Sequence, residues 1–398
     1  MNTEEENKTS NPSSKIKNEI ECTIGSICSR FSSGKGITAE KISPTGEYPV
    51  YGGNGVRGYT DNYNFEGQCV VIGRQGANCG NVKYFEGKAY MSEHAIVGVT
   101  HQEHDNRYFA YKLSMLNLGR FSGQAAQPGL SVAKLKTLKM TMPNFNIQYR
   151  IASILSAYDH LIENNTRRIR LLEQMAENLY KEWFVRFRFP EHEKVEMVNG
   201  LPKGWKIKKV SNVCETMGGG TPTTTNPAYW GGDIKWVTPS DITSKNSLAL
   251  LKVKGRITEE GLKKSSAKLL PPYTILMTSR ASIGFFGICP DSVCTNQGFI
   301  SIIPNKETFR MYLLYTFKSR KEEIISNANG STFLEISKGR FRKMKVLVPP
   351  EDILDSFEKK TLLMFKVVLH LEYQNQLLTH QRDLLLPRLM SGKLEVKS

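Results

Sequence analysis

Short apolar segments alternate with glycine-rich loops through most of the chain. The segments are partly β-branched and are bounded by Gly, Pro or Asn, a pattern that predicts β-strands. The predicted strands are 68–74, 95–99, 273–279, 299–303 and 346–348. Between them, 107–118 and 308–326 are expected to be helices. Each half of the chain is therefore expected to be a mixed α/β (α+β) domain with long loops.

Two stretches have a different pattern, in which apolar residues recur at alternating spacings of three and four. The first lies in 146–184, which contain neither Gly nor Pro, and is expected to break near Pro190. Its repeat positions are Leu155, Tyr158, Ile162, Asn165, Ile169, Leu172, Ala176, Leu179 and Trp183. The second stretch repeats at Met364, Val368, Leu371, Asn375, Leu378, Leu385 and Leu389. This spacing is typical of a coiled-coil seam, and each seam contains one Asn that can set the pairing register.

Thr361 and Arg382 are expected to weaken the second seam. Pro387 should end or kink that helix about one turn before Gly392. Either each helix packs on its own domain as an ordinary amphipathic helix, or the two seams pair with each other. If a pseudo-twofold axis relates the two halves, the pair is antiparallel and separates the two domains.

The chain repeats itself. The motif around Cys28 recurs around Cys214, an offset of 186, whereas Ser131 corresponds to Ser337 at an offset of 206. An insertion of about 20 residues between Thr221 and Pro271 would account for the difference. A period this long indicates a duplicated domain and not a solenoid.

Composition adds a strong basic charge. The 398 residues include 54 Lys and Arg against 38 Asp and Glu, a net charge of +16. Such an excess favours a polyanionic partner, with nucleic acid first, although a merely basic surface remains the alternative. The chain has no apolar run of membrane-spanning length, its first residues are polar, and its seven cysteines are scattered, so we expect a cytoplasmic protein with reduced thiols.

Catalytic motifs are not found. Leu270-Pro271-Pro272-Tyr273 resembles the Pro-Pro-aromatic motif of DNA amino-methyltransferases, but Leu270 cannot accept a hydrogen bond from a target amine. The Gly34-Lys35 pair lacks the rest of a phosphate-binding loop, and Cys289 and Cys294 have no second pair at zinc-ligand spacing. We therefore expect no catalytic residue, no metal and no cofactor in this chain.

Two sets of residues are candidates for DNA contacts. Basic residues suited to phosphates are Lys134, Lys136, Lys338, Arg340, Arg342 and Lys343. Residues on loops and strand ends that are suited to base edges are Arg74, Gln75, Asn78, Gln127, Ser279, Arg280, Asn296 and Gln297. The strand ends Arg74-Gln75 and Ser279-Arg280 are expected to be equivalent, and repetition of Arg favours Arg74 and Arg280 as base readers. A structural role, or a solvated basic face, is the alternative.

Longer motifs resemble the specificity (S) subunit of type I restriction-modification systems. The segment from Gly123 to Ser131 is similar to the closing signature of a target recognition domain, and its counterpart runs from Gly330 to Ser337. The run from Tyr180 to Pro190 and the run from Leu384 to Leu394 are similar to the family's central and terminal conserved regions.

The resemblance implies a variable tail (1–20), a first recognition domain (21–145), a central helical spacer (146–190), a second recognition domain (191–350) and a C-terminal spacer (351–398). It implies that each domain reads half of an interrupted site in double-stranded DNA. It also implies two methyltransferase (M) subunits, which bind S-adenosylmethionine, and restriction (R) subunits, which use ATP and Mg²⁺. A stand-alone DNA-binding regulator, the detached specificity part of a single-chain restriction-methyltransferase, and an enzyme in its own right remain alternatives.

Overall fold

The computed structural model describes residues 19–76, 78–123, 129–245, 247–330 and 333–396. The chain divides into two compact units. Unit 1 takes the residues up to Leu161 together with those from Leu378 onward, and unit 2 is Ile162–Leu377. Both boundaries fall inside long helices, so each unit contains part of each helix. The five-segment division of the chain stays a prediction.

Unit 1 contains one large, mostly antiparallel sheet and a separate pair of strands. Its strands are β1 (Ile20–Thr23), β2 (Cys28–Ser33), β3 (Tyr48–Gly52), β4 (Gly55–Thr60), β5 (Phe65–Gly73), β6 (Val82–Met91), β7 (Ala95–Thr100) and β8 (Lys139–Met142). Its helices are α1 (Ile24–Ile27), α2 (Asn106–Ser114), α3 (Val132–Lys136) and the first part of α4 (Phe145–Tyr180). Six strands pair in the order β2-β7-β5-β6-β3-β4, and β1 pairs separately with β8. Only the β3–β6 pair within the six-stranded sheet is parallel.

One face of this sheet packs against helices. Ile72 on β5 and Ile96 on β7 are fully buried in one cluster with Tyr108 of α2 and Leu155 of α4. Leu389, near the end of the chain's last helix, belongs to the same cluster. The core of unit 1 therefore needs residues from both long helices.

Unit 2 repeats that plan with additions. Its strands are β9 (Met197–Val198), β10 (Leu201–Pro202), β11 (Lys206–Lys209), β12 (Cys214–Gly218), β13 (Trp230–Val237), β14 (Gly255–Ile257), β15 (Ile275–Thr278), β16 (Phe286–Ile288), β17 (Val293–Thr295), β18 (Phe299–Pro304) and β19 (Lys345–Val348). Its helices are α5 (Pro239–Thr243), α6 (Glu259–Lys263), α7 (Arg310–Ser319), α8 (Lys321–Ser326), α9 (Lys338–Lys343) and most of α10 (Glu351–Met390).

The order of strands confirms the duplication. The sheet β12-β18-β15-β16 of unit 2 has the same order as β2-β7-β5-β6 of unit 1, and β11–β19 repeats the β1–β8 pair. A separate sheet, β14-β13-β17, belongs to unit 2. Two of its strands and helices α5 and α6 lie between Thr221 and Pro271, where the change of offset predicts an insertion. The pairing in this sheet is itself repeated, because β13 lies antiparallel to β14 and parallel to β17 as β3 lies antiparallel to β4 and parallel to β6. The added residues therefore lie in connections, such as 238–254 with α5 between β13 and β14.

The two long helices run antiparallel within unit 2. Asn375 Nδ2 on α10 lies 3.5 Å from Thr166 Oγ1 on α4. Asn165 Nδ2 on α4 donates to Gln374 Oε1 on α10 at 3.4 Å. Further along α4, the Trp183 ring lies 5.8 Å from that of Phe357, which is earlier on α10. None of the predicted seam residues is exposed. The paired-seam prediction is therefore confirmed within this unit, and both seam Asn side chains bond across it.

The helices also pair within unit 1. Arg382 Nη1 lies 2.6 Å from Asp159 Oδ1, and Asp159 in turn accepts a hydrogen bond from Tyr111. Arg382, predicted as a weak point of the seam, instead joins α10 to α4 through an ion pair. Leu155 of α4 and Leu389 of α10 share the core of the unit.

Several helix ends differ from the prediction. The helix expected at 107–118 ends at Ser114, and the one expected at 308–326 is divided into α7 and α8 at Arg320. After Tyr180, α4 continues as one π-helical turn, Lys181–Val185. Residue Pro387 does not end α10, which runs on to Met390. Proline removes only one backbone N–H there, and the last turn is held because Leu389 and Met390 are buried.

Glu358 on α10 provides a pH-dependent link to α7. Its Oε2 accepts from the N–H of Met311 at 2.8 Å, while its Oε1 lies 3.8 Å from Arg310 Nη1. Burial raises the pKa of Glu358 to about 7, against an ordinary value of 4.5. The folded chain therefore binds this proton more tightly than the unfolded chain, and stability falls as pH rises from about 4.5 to about 7.

Glu358→Gln is expected to stabilise the protein at pH 8 by about 1–3 kcal/mol, because it removes the buried charge and keeps an acceptor for Met311. Near pH 4.5 the variant and the parent should unfold alike. Urea unfolding between pH 4.5 and 8 measures this, with the exposed Glu322→Gln as control. An equal effect at both pH values would exclude the charge as its cause.

Candidate nucleic-acid interface

In unit 1, three loops meet where β5 ends. The N–H of Arg74 donates to His94 O at 2.9 Å, and the N–H of Leu130 donates to Arg74 O at 2.9 Å. Gln75 forms an isolated antiparallel bridge with Gly129. The residue after β5 is thus held between the loop that follows β6 and the segment that precedes α3.

Unit 2 builds the same junction where β15 ends. The N–H of Ser279 donates to Gly298 O at 2.8 Å, and the N–H of Ile336 donates to Ser279 O at 3.0 Å. Arg280 bridges Glu335, as Gln75 bridges its partner in unit 1. The predicted equivalence of the two strand ends is therefore supported by matching backbone hydrogen bonds.

The matching of arginine to arginine is wrong. By these hydrogen bonds Arg74 corresponds to Ser279, and Gln75 corresponds to Arg280. The offset between the two halves is 205 residues at these strand ends but 206 residues at the segments that precede α3 and α9. A constant offset of 206 therefore misaligns the side chains of the strand ends by one residue. Repetition of Arg at one position therefore gives no support to Arg74 as a base reader.

A fourth loop joins each junction through a glycine. A β-carbon at Gly34 would lie 2.1 Å from Met91 O, and one at Gly219 would lie 2.1 Å from Thr295 O. The N–H of the following residue donates to the same carbonyl oxygen, at 2.9 Å and 2.8 Å. No larger residue fits this approach, which explains why glycine recurs in the repeated motif. Four loops thus converge at one end of the repeated sheet in each unit.

The residue after the bridge is left-handed in both junctions. Gly76 has φ +83° and Ala281 has φ +60°. An alanine in this region is uncommon and costs about 1 kcal/mol. The same turn is therefore kept in unit 2 despite an unfavourable residue type.

Ala281→Gly is expected to raise the free energy of unfolding by about 0.5–1 kcal/mol, and Gly76→Ala is expected to lower it by about 1 kcal/mol. A β-carbon at Gly76 would meet nothing within 4 Å, so the change is one of backbone conformation and not of packing. Denaturant unfolding of the two variants measures both signs. Equal signs would show that the two turns are not alike.

Short basic helices follow both junctions. Lys134 and Lys136 lie on α3, and Lys338 and Lys343 lie on α9. All four are exposed, and none forms an ion pair with a residue that the structure describes. A β-carbon at Gly218 would lie 3.1 Å from Lys338 Nζ, so this ammonium group reaches the glycine loop. Free lysines beside exposed loops are suited to phosphate groups.

The two arginines of α9 are engaged with the protein. Arg342 donates through Nε to Thr216 Oγ1 at 2.6 Å and through Nη2 to Thr216 O at 2.8 Å. Arg340 donates through Nη1 to Asn327 O at 3.2 Å. Both hold α9 in place, and the two flanking lysines are the freer cations.

The remaining candidate residues differ in their exposure and in their hydrogen bonds. Ser279 is only 2% exposed, so its side chain does not face solvent. Asn78 accepts a hydrogen bond from Asn81, Asn296 accepts from the N–H of Gly298, and Gln297 accepts from Thr221. Gln127 lies outside the described residues. DNA contact by these residues stays a prediction.

The sequence pattern missed His94. Its Nδ1 lies 2.8 Å from Gln75 Oε1, and its Nε2 lies 3.1 Å from Glu93 Oε1. His94 and Gln75 are far apart along the chain, and they become neighbours only because their strands pair. The short polar interruption between the apolar segments of β6 and β7 was the one available signal.

The cysteines are neither paired nor activated. All seven lie within the described residues and are free. Burial raises the pKa of Cys28, Cys69 and Cys214 to about 12, so these thiols stay protonated at neutral pH. Among the residues that the structure places, no three His, Cys, Asp or Glu side chains are arranged to hold a metal ion. No helix in the described part of the chain is long and apolar enough to cross a membrane.

Two equivalent loop clusters, each beside free lysines, are the features of a duplicated recognition protein. A family model described as type I restriction modification DNA specificity domain matches the chain twice, over residues 18–174 and 202–366. The chain therefore belongs to the DNA specificity subunits of type I restriction-modification systems, the non-catalytic part of those enzyme complexes.

Individual relatives agree with this assignment. The MjaIX specificity subunit of Methanocaldococcus jannaschii is 33% identical over 205 residues, 48% of each chain. The chain thus aligns with about half the length of that relative. The HindI specificity subunit of Haemophilus influenzae is 26% identical over 67% of this chain and 71% of that protein. A crystal structure of the S subunit from M. genitalium has the same fold, with TM-score 0.61 and 18% identity over 94% of this chain and 96% of that one.

Proposed function

We propose that this subunit reads a bipartite, interrupted site in double-stranded DNA, one half-site with the loop cluster of each unit. The observation that carries the proposal is the repeated junction, in which four loops converge beside exposed lysines. Lysines position a protein on the phosphates, whereas side chains on rigid loops read the base edges. Two copies of one junction with different side chains are suited to two half-sites of different sequence.

We further propose that the long helices carry two methyltransferase subunits, which bind S-adenosylmethionine, and that restriction subunits, which use ATP and Mg²⁺, join this core in the cytoplasm. Apolar side chains outside the seam support a protein partner. In unit 2, Leu171 and Met175 on α4, and Tyr373 and Leu377 on α10, form i,i+4 pairs that are 44–54% exposed. Clustered apolar exposure of this kind is typical of protein interfaces.

The test is a binding selection with the full chain. It is co-expressed with the methyltransferase subunit of its own system, purified, and mixed with a pool of duplexes that contain a long random segment. We expect co-purification of the methyltransferase and enrichment of a motif in two parts separated by unread positions. A single continuous motif, or a motif bound without any methyltransferase association, would favour a stand-alone regulator and contradict the proposal.

A further inference from the structure

The two junctions present different forked side chains at one structural position. We infer that Gln75 and Arg280 are equivalent base-reading residues, Gln75 selecting adenine in one half-site and Arg280 selecting guanine in the other. This inference rests on the proposed function and adds to it the residue and base that distinguish the two half-sites.

The backbone at this position is fixed from both sides. The residue before the reader, Arg74 or Ser279, donates its N–H to one loop, and its carbonyl oxygen accepts from the segment that precedes α3 or α9. The reader itself forms a β-bridge with that same segment. A left-handed residue, Gly76 or Ala281, follows at once. The chain therefore reverses its direction directly after the reader. The backbone that carries the reader's side chain is held in place by hydrogen bonds on both sides. A backbone held in this way is what base discrimination needs, since a mobile side chain adapts to any base.

The neighbouring residues are poorer candidates. Ser279 is buried, and Arg74, its structural counterpart, is half-buried with Nη1 3.4 Å from Glu93 O. Gln75 is exposed, and the side chain of Arg280 is 54% exposed. In each dipeptide the second residue is therefore the more exposed one, and it is the same position in both units.

Each reader keeps the atoms that a bidentate contact needs. Gln75 Oε1 lies 2.8 Å from His94 Nδ1, which leaves the second lone pair of this oxygen, while its Nε2 bonds to no described residue. Arg280 Nε lies 3.9 Å from Glu335 Oε2, so the carboxylate orients the guanidinium while its two terminal nitrogens bond to no described residue.

The hydrogen-bonding groups of the Gln75 amide and the Arg280 guanidinium determine which base each residue is expected to select. An amide donates to N7 and accepts from the N6 amino group of adenine, whereas a guanidinium donates to both N7 and O6 of guanine. His94 lies on the loop after β6, whereas Glu335 lies on the segment before α9, so the two readers are positioned from different loops.

Exchanging the two side chains tests the inference. The full chain with its methyltransferase subunit is prepared as Gln75→Arg and as Arg280→Gln, and each is used to select from duplexes randomised over both half-sites. Gln75→Arg should change one position of one half-site from A·T to G·C, with a preference of about tenfold to hundredfold. Arg280→Gln should make the reverse change in the other half-site only.

Glu322→Gln is the control, since it adds an exposed amide on α8, outside the junction, and should leave both half-sites unchanged. Thermal unfolding verifies that the variants are folded. If an exchanged variant does not bind, Gln75→Ala and Arg280→Ala decide, because each should lose discrimination at one base pair alone. Unchanged half-sites, or changes in both halves from one substitution, would overturn the inference. A parent complex that enriches no motif would instead overturn the proposed function.

Discussion

Replacing Lys338 and Lys343 with alanine is expected to weaken DNA binding strongly and similarly for all sequences. Each lysine that neutralises a phosphate contributes about 0.9 to the slope of log affinity against log salt, so the double variant should lose about 1.8 of that slope. Between 50 and 200 mM salt, the parent should therefore lose about tenfold more affinity than the variant. Titration of the complex with duplex DNA at several salt concentrations measures this.

A second double variant controls for net charge. Lys360 and Lys366 lie exposed on α10 in the same unit, and alanine at both removes the same charge away from the junction. This control should bind with a slope close to that of the parent. If the two double variants behave alike, the slope reports overall charge, and the lysines of α9 do not contact phosphates.

Phe357→Ala is expected to lower the free energy of unfolding by about 3–5 kcal/mol. Phe357 is fully buried on α10, and its ring centroid lies 4.8 Å from that of Phe184, 5.8 Å from Trp183 and 6.4 Å from both Tyr180 and Tyr315. These rings belong to α4, its π-helical turn and α7. Removing the central ring leaves a cavity that four rigid neighbours cannot fill.

Leu363→Ala is the control for that substitution. Leu363 lies on the same helix but is 64% exposed, so its truncation should cost less than about 0.5 kcal/mol. Denaturant unfolding of both variants gives the comparison. A small effect of Phe357→Ala would mean that this aromatic cluster does not hold the long helices to the domain of unit 2.

Features set by nearby residues could be predicted from the sequence. The strands at 68–74 and 299–303 and the seam from Leu155 to Trp183 follow from periodicity, because side-chain burial repeats with the pitch of the element. The duplication was visible because motifs such as the Gly34 loop recur where a β-carbon cannot fit. Helix ends were less accurate, since the final turns depend on what buries them, as Leu389 and Met390 do after Pro387.

The sequence by itself determined that this chain is a duplicated, basic recognition protein of the type I specificity family with two long helical seams. Only the tertiary structure decided which side chains correspond. A constant offset pairs Arg74 with Arg280, whereas the hydrogen bonds of the junction pair Gln75 with Arg280. The reason is that loops lose or gain single residues freely, while the sheet fixes which backbone groups meet. The contacts of His94 and Phe357 could be found only in the structure, since residues that are distant along the chain become neighbours only when strands and helices pack.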